Sequence, residues 1–112
     1  DKSEMIARLA MSTASVMMMS EHEHEIAEAL EAGDLDEAHE EAEELVPWMK
    51  GTDWRHELME PVAMATKALE ALVARLEAKD ADGARTALEE VEKHFKHVHH
   101  ELMELVGEGM GH

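Results

Sequence analysis

Two stretches, Leu30-Glu-Ala-Gly-Asp-Leu-Asp-Glu-Ala38 and Leu76-Glu-Ala-Lys-Asp-Ala-Asp-Gly-Ala84, match each other at an offset of 46 residues. In the first, Gly33 ends one helix and Asp34 with Glu37 reads as a capping box for the next. A repeat of that device predicts two helical hairpins with similar turns, and hence an all-α, antiparallel up-down-up-down four-helix bundle. Both turns, near residues 33 and 80, then lie at one end.

The segments around the turns support this. Ala84, Leu88, Val91, Phe95, Val98, Leu102 and Val106 recur in alternating steps of three and four, one stripe of a helix. Helix two turns Leu35, Ala38, Ala42 and Leu45 inward and stops between Pro47 and Gly51. Helix three carries Trp54, Leu58, Met59, Val62, Ala65, Leu69, Leu72 and Leu76 inward. Pro61 predicts a kink there, or a short lead-in helix before the main one. Helix one is capped by Ser3, and its stripe runs Met5, Leu9, Thr13, Val16, Ser20, Ala27 and Leu30, with Glu23 and His24 at or near inward positions. Met17 and Met19 flank that stripe on opposite sides. The expected helices are 4–32, 34–49, 53–79 and 82–106 in a single domain, followed by a flexible glycine-rich tail, 107–112.

Composition agrees. Alanine, leucine, methionine and glutamate are helix formers, and 3% aromatic residues with no tyrosine leave little to build strands. The net charge of −17 excludes nucleic acid as a partner, since protonating all nine histidines would still leave −8. It suits a redox partner with a basic surface. No cysteine is present, which excludes disulfides, thiolate metal sites and covalently attached c-type haem. No apolar run is long enough to span a membrane. The chain starts at Asp1 without an initiator methionine, as a mature secreted protein or a trimmed chain would, and the expectation is a periplasmic monomer or homodimer.

The unusual feature is ten methionines and nine histidines. Measured from the two turns, Met17, Met19, Met64, His94 and His99 share one storey of the bundle. His99 falls at the edge of the helix-four stripe, one turn from Phe95, whereas His97 and His100 point to water. Here a resemblance enters. Asp53-Trp54-Arg55-His56 resembles the Asp-Phe-Arg-His opening of helix three in the soluble periplasmic four-helix b-type cytochromes, the cytochrome b-five-six-two family. An alanine- and leucine-rich helix, a short acidic turn and a helix with a late histidine follow in the same order. The resemblance implies non-covalent haem b, with His99 as one axial ligand and Met19 or Met17 as the other. Such Met/His ligation raises the reduction potential and suits electron transfer.

A second reading is direct binding of copper, zinc or nickel, which imidazole suits, with thioether suiting Cu(I). Its candidate ligands are His94, His97, His100 and Glu104, in pairs three or four apart, together with His39 and Glu43. A third reading is a hemerythrin-like di-iron site from His39-x-x-x-Glu43, His56-x-x-x-Glu60 and His100-x-x-x-Glu104. No phosphate loop, nucleophile elbow or Cys/His pair suggests an enzyme. Glu23 with His24 is the only acid/base pairing the sequence offers.

Overall fold

A computed structural model describes residues 2–111, with side chains over 2–108. Four helices account for nearly all of it: α1 (Lys2–Glu31), α2 (Leu35–Gly51), α3 (Met59–Glu77) and α4 (Ala81–Gly111), with a 3-10 turn at His56–Leu58 before α3. Among the described residues there is no strand. Helix α1 packs on α2, α2 on α3, and α3 most extensively on α4, which returns to α1. The longest dimension is 47 Å, the length of α4 itself at roughly 1.5 Å per residue.

The repeated stretches build the same turn twice. Gly33 has φ +80° and Lys79, at the matching position, has φ +59°. At the first turn Asp34 N–H bonds the Ala29 carbonyl at 2.8 Å and Gly33 N–H that of Leu30 at 3.1 Å; at the second, Asp80 bonds Arg75 at 3.0 Å and Lys79 bonds Leu76 at 3.0 Å. These are the two bonds of a Schellman helix end. Asp34 then accepts from the Glu37 N–H at 3.0 Å, and Asp80 from the Gly83 N–H at 2.9 Å, so each turn also caps the next helix. The turns touch: the Lys79 ammonium lies 2.7 Å from Asp36.

One cluster of buried side chains runs through all four helices. In α4 the predicted stripe is buried from Ala84 to Leu102, and in α3 from Val62 to Leu76. Leu69 and Leu72 are fully enclosed, and each such side chain contributes about 1.5–3 kcal/mol of burial. Pro61 sits in the first turn of α3, where a missing N–H costs nothing. Pro47 lies inside α2, which nonetheless continues to Gly51. Two side chains tie off its last turn: Thr52 Oγ1 donates to the Trp48 carbonyl and buried Trp54 Nε1 to that of Met49, both at 2.8 Å.

Four expectations are corrected. In α1 the buried positions are Ser12, Ser15, Val16, Met19, Ile26, Ala29 and Leu30, a face turned by roughly 75° from the predicted stripe at 100° per residue. Ser20 and His24 are therefore exposed, Met5 is half-exposed, and Met19 sits at the centre of the face. The α1 stripe is interrupted by polar residues, so its neighbours α2 and α4 decide which side is covered. Met59, expected inward, is exposed, because as the first residue of α3 it falls roughly 100° from the centre of the buried face at 100° per residue. Helix α3 also starts six residues later than predicted. Finally, α4 continues through 107–111, where the glycine-rich tail was expected; His112 lies outside the described residues.

Candidate metal centre

The residues that the cytochrome resemblance implies do not fit a haem. His99 is exposed on α4. Met17 is 67% exposed, whereas Met19 is 1% exposed and closed in among core side chains. An axial pair must face one slot, and here one candidate points to solvent while the other is walled off. The wheel puts His99 nearer the stripe than His94, but a flank is buried only where a neighbouring helix covers it. On α4 the covered flank is the one towards α3, where His94 lies, its side chain 21% exposed.

Among the described residues, the helix-four metal candidates do not join in a group of three ligating imidazoles and carboxylates. Each has a carboxylate one turn away on its own helix: His94 with Glu90 at 3.8 Å, His97 with Glu101 at 4.0 Å, and His100 with Glu104 at 3.2 Å. The three i, i+4 pairs of the di-iron reading likewise stay apart. His24 repeats the pattern with Glu28 at 2.8 Å, so the Glu23–His24 pairing does not form.

Among the described residues, three ligating side chains converge at two places, both on the flanks of α2. The first joins α1 to α2. His22 lies one turn from Glu25 on α1, and His22 Nδ1 is 2.9 Å from Glu41 Oε2 on α2. His22 and Glu41 are three-quarters or more buried. Glu25 hydrogen-bonds Glu41, and that bond together with the Glu41 charge holds the Glu25 proton to a higher pH than an ordinary glutamate keeps it. Two charged carboxylates this close repel each other, and a proton or a cation between them relieves that repulsion.

The second place joins α2 to α3. His39 Nε2 lies 3.4 Å from Glu43 on its own helix and 3.3 Å from Glu77 on α3. The His39 side chain is 26% exposed and both carboxylates are open to solvent. In each group the ligand atoms all lie within 4.8 Å of one another. Ligands bound at about 2.0–2.2 Å to one first-row ion sit roughly 3–4 Å apart, so little side-chain movement would close either group on an ion.

Sequence reasoning singled out His39 with Glu43 but missed Glu77 and the whole of the first group, His22, Glu25 and Glu41. The spacing His22-x-x-Glu25 could have flagged the α1 half. Nothing in one helix announces a ligand contributed by another.

Glu23, facing α4, is pushed up to about 7, first by burial and then by the Glu92 carboxylate, with Lys96 acting in the opposite direction.

No helix among the described residues is long and apolar enough to cross a membrane. Compared with protein-family models, with curated proteins and with solved structures, the chain matches none.

Proposed function

We propose that this chain is an antiparallel up-down-up-down bundle that binds divalent first-row metal ions, zinc foremost, at the two flanks of α2. The up-down reading rests on the two tight turns and on the Lys79–Asp36 pair that joins them. The observation that carries the function is the meeting of His22, Glu25 and Glu41 across two helices, with two carboxyls already sharing a hydrogen bond. A dication competes with protons for these ligands, so binding tightens as pH rises. One imidazole nitrogen with two carboxylate oxygens suits zinc and its neighbours. The remaining coordination positions go to water, which suits reversible uptake rather than a permanent structural ion. A net charge of −17 raises the local concentration of cations around both sites.

Calorimetric titration with zinc tests this. The expected result is two equivalents for the full chain, one for His22→Ala, one for His39→Ala and none for the double variant. Unchanged stoichiometry in the double variant, with helicity intact, would sink the reading.

A further inference from the structure

A different seam carries a different chemistry. Met64 on α3 and His94 on α4 both border two neighbouring grooves along the α3–α4 contact, one of about 770 Å³ and one of about 300 Å³. Two side chains that wall the same two grooves stand beside each other between them. His97, one turn from His94, lines the larger groove as well.

We propose that Met64, His94 and His97 bind a single cuprous ion in this seam. Thioether sulfur is a soft ligand that selects Cu(I), and imidazole completes a two- or three-coordinate set. Glu89 and Glu92 are balanced by Lys93 and Lys96 around the larger groove, and neutral S and N ligands leave a cuprous ion with only one charge to accommodate. The contrast with the flanks of α2 is direct, since the carboxylates there suit a dication and no thioether takes part. The carboxylates nearest His94 and His97, at 3.8 and 4.0 Å, are beyond hydrogen-bonding reach, which leaves both rings uncommitted to them. Other methionines are exposed, Met17 and Met18 among them; what sets Met64 apart is the imidazole next to it. Ala68, Ala71 and Ala87 line the smaller groove with small side chains, beside Lys67 and Glu90.

The site shares no residue with the α2 flanks, so it stands or falls independently of zinc binding there. The test is an oxygen-free titration of the full chain with cuprous bicinchoninate, whose colour is lost as the protein takes the metal. One equivalent is expected, with Met64→Leu and His94→Gln each weakening uptake at least tenfold, His97→Gln weakening it less, and Met17→Leu leaving it unchanged. Zinc stoichiometry should stay the same in all four. Chemical-shift mapping of the unsubstituted protein supplies a second readout, with the His94 and His97 rings and the Met64 methyl moving together. The proposal is overturned if the protein takes no cuprous ion, if Met64→Leu binds as tightly as the parent, or if Met17→Leu loses as much as Met64→Leu.

Discussion

The chain holds two histidine-rich regions, and they behave differently. Helix α4 carries four histidines between residues 94 and 100, yet those with an ion-pair partner find it on their own helix, one turn away. The flanks of α2 involve only His22 and His39, but each meets a carboxylate from a second helix. An i, i+4 His–Glu contact needs nothing beyond helical spacing and recurs wherever glutamate is common. A contact between helices needs the fold. Density of ligand-type residues along one helix is therefore a poor guide to a metal centre, and convergence between helices is a better one.

That comparison can be broken most sharply with zinc. Glu41→Ala should cost more affinity at the α1–α2 flank than the roughly 10- to 100-fold typical of changes one shell further out. His97→Ala with His100→Ala should cost nothing measurable for zinc. A helix-four double variant that loses zinc while Glu41→Ala keeps it would reverse the assignment of the two regions.

Stability gives a second contrast. Zinc bound only to the folded chain, at 100 times its dissociation constant, should add about 2.7 kcal/mol per site. Thermal unfolding followed by circular dichroism should show both increments in the parent, one in either single histidine variant, and none in His22→Ala with His39→Ala.

Much of the fold could be read in advance because its signals are local. The stripe of α4 and the repeated turn need only neighbouring residues, and both are found as expected. Helix α1 was harder, because Ser12, Ser15 and Thr13 interrupt its apolar pattern and the covering helices, not the stripe, select Met19 and Ile26. The site failed for the same reason on a larger scale. His99 was placed by its angle on a wheel, which says nothing of whether a neighbouring helix covers that angle. Glu41 and Glu77 became ligand candidates only when α1 and α3 were set beside α2.

Glu23 sharpens the contrast between a carboxyl facing a histidine and one facing another carboxyl. Its folded-state value of about 7 lies above the ordinary 4.5. The stability due to its protonated form is thus complete below pH 4.5 and lost as pH rises through 7. At pH 8, Glu23→Gln should be more stable than the parent by about 1–2 kcal/mol, less than the full shift implies because the side chain keeps partial contact with water. The difference should vanish at pH 4. Equal denaturation midpoints at pH 8 would contradict this account of the α1–α4 seam.

The smallest effect concerns the two turns. Gly33→Ala should destabilise by about 1 kcal/mol, because its φ of +80° is unfavourable for any residue with a Cβ. Lys79→Gly relieves the same strain and loses an exposed ion pair worth little, so it should stabilise by up to about 1 kcal/mol. Urea denaturation of both variants checks the opposite signs.

The most direct test of the central claim is long-range nitrogen–proton correlation spectroscopy of the histidine rings during zinc addition. The account predicts that Nδ1 of His22 and Nε2 of His39, the atoms that already face their carboxylates, move to metal-bound positions in step with two equivalents of zinc. His97, His99 and His100 should stay where they are. Movement of the helix-four rings first, with His22 and His39 unchanged, would contradict it.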